Sequence, residues 1–176
     1  MIEILALIAL VMIVFFWEPY IGRTTKLGAP FVPAEPEVVA RIIKLAQIKK
    51  GQIFYDLGSG DGRLVIYAAM QGAKAYGVEI DRLRVFYSRL WIKFLGLSQK
   101  AQIIQKNFFE VDLSEADVVC LFLLQETNQK LKEKIKREVK KGALVISYAF
   151  TFENWKPKLA DPNPGSIYGP IFVYQK

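Results

Sequence analysis

Histidine is absent from all 176 residues. Every chemistry that needs an imidazole base, a His-containing zinc site or a Ser-His-Asp triad is therefore excluded. Cysteine is nearly absent too: the single Cys120 rules out an internal disulfide framework, and its apolar surroundings mark it as a core residue. Acidic side chains are in deficit, 17 against 24 Lys plus Arg, a net charge of +7. That balance suits a polyanionic partner or an anionic membrane and does not choose between them. There is no internal repeat and no low-complexity tract. Apolar residues are plentiful at 52%, with 13% aromatics, enough to fill the core of one domain. A length of 176 residues leaves no room for a separate substrate domain.

Residues 4 to 17, from Ile4 to Trp17, carry no charge. The run is shorter than the roughly 20 residues a spanning helix needs, but tilt, bilayer thinning and interfacial placement of Trp17 and Tyr20 accommodate it. A cleaved signal would begin with a basic stretch and end in small residues, whereas Glu3 precedes the run and Trp17-Glu18-Pro19-Tyr20 closes it. The expectation is an uncleaved membrane-anchor helix over residues 1–21, a Gly- and Pro-containing linker over 22–34 and a folded body over 35–176. Arg23 and Lys26 beyond the run place that body in the cytoplasm by the positive-inside tendency. The alternative is a hydrophobic terminus packed on the domain.

Pro36, flanked by Glu35 and Glu37, suits a helix N-terminus. Beyond it, apolar runs with strand character at 52–57, 74–80, 101–106, 116–122 and 143–150 alternate with helical patterns at 62–71, 82–95 and 125–140. In the second helix Leu83, Phe86, Tyr87, Leu90 and Phe94 recur at helical spacing, with Asp81 before and Gly96 after. They are expected to form a buried stripe. In the third, seven Lys or Arg between Lys130 and Lys141 interleave with Leu131, Ile135 and Val139, which reads as a solvated helix with a core stripe. Attraction to anionic lipid or nucleic acid is the sharper alternative, and no nucleic-acid module supports the second. Strand and helix alternation implies a mainly parallel α/β sheet covered on both faces. The stretch 167–175, entered through Asp161-Pro162-Asn163-Pro164-Gly165, is expected as a terminal antiparallel strand.

The segment Tyr55-Asp56-Leu57-Gly58-Ser59-Gly60-Asp61-Gly62-Arg63 joins the first strand to a helix. Its glycines let the backbone approach a ligand lying over the carboxyl ends of the strands. Glu79 ends the next strand, where a carboxylate accepts hydrogen bonds from ribose hydroxyls. Arg63 stands where a dinucleotide loop has its third glycine, which disfavours a nicotinamide cofactor. A P-loop ending of Gly-Lys-Ser/Thr is missing as well, which disfavours an ATPase. A ribose-bearing ligand with a cationic amino-acid tail remains, and Asp56 matches that tail. S-adenosylmethionine has these features, and no metal is expected.

These motifs, together with Phe31-Val32-Pro33, Gly77-Val78-Glu79-Ile80, Ser147-Tyr148-Ala149-Phe150 and Trp155-Lys156-Pro157, resemble the seven-strand, class I S-adenosylmethionine-dependent methyltransferases over residues 31 to 176. Within that class the chain is similar to the small protein-lysine methyltransferases that include a broad-specificity archaeal enzyme and mitochondrial enzymes acting on the ATP synthase c subunit and the adenine nucleotide carrier. The resemblance implies a Rossmann-like seven-stranded sheet with an antiparallel terminal strand and helices on both faces. Its candidate cofactor-binding set is Asp56, Gly58, Ser59, Gly60, Asp61, Glu79, Asn107 and Phe108. Asp56, Gly58 and Gly60 would contact the methionine part and Glu79 the ribose. Asp61 serves equally well as a helix cap. Asn107 replaces an acidic residue that relatives commonly place near the adenine.

After the fourth strand, Phe122-Leu123-Leu124-Gln125-Glu126-Thr127-Asn128 stands where methyl group and acceptor meet. It is not the Asp/Asn-Pro-Pro-Tyr/Phe signature, so base amines and glutamine amides lose support. Relatives often have proline at the Gln125 position. Glu126 is the candidate for orienting an acceptor ammonium, with desolvation or water completing deprotonation. The expected activity is transfer of methyl to lysine side chains of a protein partner with an accessible lysine, and the anchor points to a membrane protein as substrate. An RNA methyltransferase and a membrane-tethered module that binds S-adenosylmethionine without catalysis are the alternatives.

Overall fold

Residues 31–162 and 168–176 are described by a computed structural model of the chain. Pro33–Lys176 forms one compact unit. Its first helix, α1 (Pro36–Ala46), starts where Pro36 costs no hydrogen bond, and it buries Val38, Val39, Ile42 and Ala46. Each fully buried branched side chain there contributes about 1.5–3 kcal/mol. The chain then alternates through β1 (Ile53–Leu57), α2 (Arg63–Met70), β2 (Lys74–Glu79), α3 (Arg82–Phe94) and β3 (Ala101–Gln105). A 3₁₀ turn at Phe108–Glu110 replaces a helix before β4 (Val118–Leu121). Helix α4 (Gln125–Glu138), β5 (Leu144–Tyr148), β6 (Leu159–Asp161) and β7 (Ile171–Gln175) complete the unit.

The seven strands form one sheet in the order β3-β2-β1-β4-β5-β7-β6. Strands β1 to β5 are parallel, and β7 runs antiparallel between β5 and β6. The mixed sheet with a terminal antiparallel strand is the expected architecture. All four residues of β4 are buried, which is why Val118-Val119-Cys120-Leu121 reads as an unbroken apolar run. Strand order reverses between β1 and β4, and the crevice over that switch point is where open α/β sheets place their ligands. Strand β6 escapes the sequence pattern because three residues, two of them exposed, carry no alternation to detect. The side chain of Asp161 at its end pairs with Arg41, tying β6 to α1.

Two expectations are corrected. Helix α3 buries Val85, Ser88 and Ile92, not the longer apolar stripe; Phe86 is 69% and Phe94 79% exposed, and Leu83, Tyr87 and Leu90 are exposed with them. The cause lies in Ser88, whose single hydroxyl proton is shared between the carbonyls of Gly60 (3.0 Å) and Arg84 (2.7 Å). That small residue lets the helix approach the glycine loop, and it fixes which face turns inward. Helix α4 instead buries Leu131 and Ile135 as its spacing predicts, with Val139 just beyond its end. The membrane localisation with a cytoplasmic body is the second correction. The anchor at 1–21 and the linker as far as residue 30 lie outside the described residues, and among those described no helix is long and apolar enough to cross a membrane. The longest, α4, has 14 residues and a charged exterior; it would span about 21 Å of a hydrocarbon layer roughly 30 Å thick.

Candidate functional site

The glycine loop, residues 58–62, leaves β1 at the switch point. Gly58 has φ +84°, a value that L side chains rarely adopt. A methyl group on it would also lie 2.9 Å from Leu123 Cδ2, so the loop abuts the segment after β4. The Glu79 carboxylate ends β2 and reaches back to this loop: Oε2 accepts from the Gly60 N–H at 2.9 Å. Its Oε1 accepts from the N–H groups of Ile80 (2.8 Å) and Asp81 (2.9 Å), and Arg84 Nη1 stands 3.9 Å away. An ionised carboxylate offers about four lone-pair sites, so after one bond Oε2 retains capacity for a ribose hydroxyl. Only 5% exposed, Glu79 is held in that geometry by main-chain donors.

Asp56, 4% exposed, lies one residue before the end of β1, between Gly77 of β2 and Cys120 of β4. Burial, reinforced by the charges of Asp61 and Glu79, pushes its carboxyl up to about 8. A cationic group entering this crevice would restore the charged form. The acids near Asp56 thus fit the ammonium tail and ribose of S-adenosylmethionine.

The remaining members of the set divide. Asp61 Oδ1 accepts from the backbone N–H of Arg63 at 3.2 Å, and its carboxylate pairs with the Arg63 guanidinium at 2.5 Å. That pairing, with the hydrogen bond Asp61 accepts, holds the Arg63 guanidinium above its ordinary pKa. Asp61 therefore serves the start of α2. Ser59 turns its side chain toward the sheet, where a methyl group on Gly77 would lie 2.6 Å from Ser59 Oγ and 2.7 Å from Ile103 Cδ1. The backbone of Ser59 is what borders the loop; its N–H donates to the Val78 carbonyl at 3.0 Å. Asn107 follows β3 and caps the 3₁₀ turn, its Oδ1 accepting from the Phe109 N–H at 3.1 Å. Phe108 is buried beside it and packs against Phe109.

Glu126 is not brought to the crevice: its side chain is 82% exposed and pairs with Lys130 at 2.9 Å one helical turn on. That pairing holds its carboxyl below the ordinary range. The polar residues that α4 does bury are Thr127 and Asn128, of which Asn128 is fully buried. Its Nδ2 donates to Ser147 Oγ at 2.9 Å and to the Phe150 carbonyl at 3.4 Å, while Ser147 Oγ donates to the same carbonyl at 2.6 Å. This network ties α4 to the turn after β5. There Ala149 has φ +69°, and the Phe150 N–H donates to the Tyr148 carbonyl at 2.9 Å, a strained γ-turn. Sequence reasoning did not single out Asn128 as the residue that ties α4 to this turn. Its signal is nevertheless present: a short amide in the first turn of a helix whose stripe faces the core.

The family model of the ANTKMT methyltransferase domain matches residues 56–159 of this chain. Among curated proteins, a protein-lysine N-methyltransferase of Saccharolobus islandicus is 40% identical over 148 residues, 82% of this chain and 92% of that protein. A lysine N-methyltransferase of the ATP synthase c subunit, from Rattus norvegicus, is 33% identical over 167 residues, 94% of this chain and 76% of the relative. Among solved structures, an RNA methyltransferase from Salinibacter ruber, in complex with S-adenosyl-L-homocysteine, superposes with a TM-score of 0.78 at 36% identity. The match covers 82% of this chain and 93% of that one.

Proposed function

Since the chain belongs to the ANTKMT methyltransferase domain family and is an S-adenosylmethionine-dependent methyltransferase, we propose that it transfers methyl to the Nε atom of lysine side chains in a protein. The observation that carries the cofactor half of this reading is the Glu79 carboxylate bonded to the Gly60 N–H beside the buried Asp56. Lysine as the acceptor is supported by the activities of the two relatives that align over most of this chain.

The donor supplies a methyl group on a sulfonium, ready for in-line displacement. What the protein must add is placement of the acceptor nitrogen in near-attack geometry and a route for its proton. The lysine ammonium first loses a proton to water or a carboxylate; its lone pair then bonds the methyl carbon as the carbon–sulfur pair returns to sulfur. Nothing in this sequence of events needs histidine. A membrane-protein acceptor is the narrower form of the proposal, supported by the relative that acts on the ATP synthase c subunit.

One observation favours a second reading: the Salinibacter ruber structure is that of an RNA methyltransferase. Labelled methyl transfer from S-adenosylmethionine to protein and RNA fractions separates the two. Label recovered as Nε-methyl-lysine and resistant to ribonuclease is expected; label lost on ribonuclease treatment would install the second reading in its place.

A further inference from the structure

Glu35 immediately precedes α1, in the N-cap position, with extended backbone at φ −63° and ψ 149°. A short polar residue there, such as Asp or Ser, ordinarily turns a side-chain oxygen onto the first N–H groups of the helix. Glu35 makes no such bond. Its Oε2 instead accepts from the hydroxyl of Tyr148, 113 positions away, at 3.1 Å. The segment is pinned in place from its other side, because Arg63 Nη1 donates to the Ala34 carbonyl at 2.5 Å. Arg63 opens α2 directly after the glycine loop, so this bond couples the approach to α1 with the cofactor crevice.

Around Tyr148 the structure gathers rings from three separate stretches of chain, its own included. Phe122 follows the last residue of β4, Tyr148 ends β5, and Tyr168 precedes β7. The Phe122 centroid is 4.3 Å from that of Tyr148 and 5.6 Å from that of Tyr168, and Tyr148 to Tyr168 is 6.4 Å. Phe122 stands one residue before Leu123, which abuts Gly58. A carboxylate backed by aromatic rings at this edge matches one kind of ligand, an organic cation on an apolar stem. Tyr148 is fully buried and acts on Glu35; Phe122 and Tyr168, partly exposed, are the rings that can meet the stem.

We propose that Glu35, oriented by Tyr148 and flanked by Phe122 and Tyr168, binds the ammonium of the acceptor lysine. The proposal rests on the reading of protein lysine as the acceptor. Glu35 is a binding residue in it and Tyr148 a positioning residue.

The test uses the full chain saturated with S-adenosylhomocysteine and two probes, Nα-acetyl-lysine methylamide and its norleucine counterpart, which lacks the ammonium. Binding is followed by chemical-shift titration, alongside methyl transfer to protein lysine. Wild type should bind the lysine probe at least fivefold more tightly than the norleucine probe. Glu35→Gln should abolish that preference and raise KM for the protein acceptor about tenfold, the loss of one charge-assisted hydrogen bond. Tyr148→Phe, which keeps the ring packing, should lower the preference about threefold and leave the affinity for S-adenosylhomocysteine unchanged. An unchanged preference in both variants, or no preference in wild type, overturns the proposal. A Glu35-dependent preference in a protein that labels no protein lysine supports the site and overturns the acceptor reading. Lysine methylation indifferent to Glu35→Gln does the reverse.

Discussion

The two halves of the sheet's carboxyl edge are built from different materials. Over β1 and β2 stand acids and glycines bonded to main chain: Asp56, the loop at 58–62, and Glu79 with its three N–H donors. Over β4 and β5 stand aromatic rings and an amide network: Phe122, Asn128, Ser147 and the strained turn at Ala149. The first half sets carboxylates and main-chain donors around one crevice, with the buried Asp56 carboxyl held up at about 8 until a cation draws it into its charged form. The second supplies shape and a rigid turn. We propose that this division separates cofactor binding from acceptor binding, so that substitutions in each half should report on one of the two.

The largest expected effect belongs to Glu79→Ala. It leaves the N–H groups of Gly60, Ile80 and Asp81 without their acceptor and removes the ribose contact, so affinity for S-adenosylmethionine should fall on the order of 100-fold by calorimetric titration. An affinity within threefold of wild type would break the comparison at its cofactor end.

Next in size is a pH effect centred on Asp56. Its carboxyl sits near 8 in the folded protein against an ordinary value of 3.8, so between those values the folded state binds the extra proton. Stability of the unliganded protein should therefore decline as pH rises from about 4 to about 8. Cofactor affinity should run the opposite way, climbing by up to about tenfold per pH unit toward pH 8, because the cationic tail requires the ionised form. Asp56→Asn should flatten both curves in parallel thermal-melt and titration series. A wild-type protein with neither slope would remove Asp56 from the cofactor half.

Smaller effects sharpen the acceptor end. Ser147→Ala removes the acceptor of the Asn128 amide and the donor to the Phe150 carbonyl; kcat/KM for the protein acceptor should drop about fivefold with cofactor affinity unchanged. Glu126→Gln should alter neither quantity by more than about twofold, since an exposed pair with Lys130 contributes little. A large loss of turnover in Glu126→Gln alone would return that residue to the site.

The same contrast explains what could be read from the sequence. The cofactor half is legible because its parts are close in the chain: the glycine loop runs on from β1, and Glu79 ends the very next strand. The parallel alternation and the antiparallel terminal strand are legible for a similar reason, since apolar runs such as 118–121 and the Pro/Gly-rich stretch of sequence before β7 carry local signals. The proposed acceptor half draws on residues 35, 122, 128, 147–150 and 168, which no spacing rule connects. Helix α3 shows a different limit. Helical periodicity identifies an apolar face, as it does for α4, where Leu131 and Ile135 are buried. It does not say which of two faces meets the sheet, and in α3 the hydrogen bonds of one small residue, Ser88, decide against the larger stripe. Glu126 stands out in the sequence by its place after β4, but helix geometry points it outward, and Asn128 two positions later turns in.

The most direct measurement is a crystal structure of the protein with S-adenosylhomocysteine. The account places the ribose hydroxyls on the Glu79 carboxylate and the amino-acid tail over Gly58 and Gly60 beside Asp56. It places the sulfur facing the segment that begins at Phe122. A ligand bound elsewhere, or with its ribose turned away from Glu79, would contradict it.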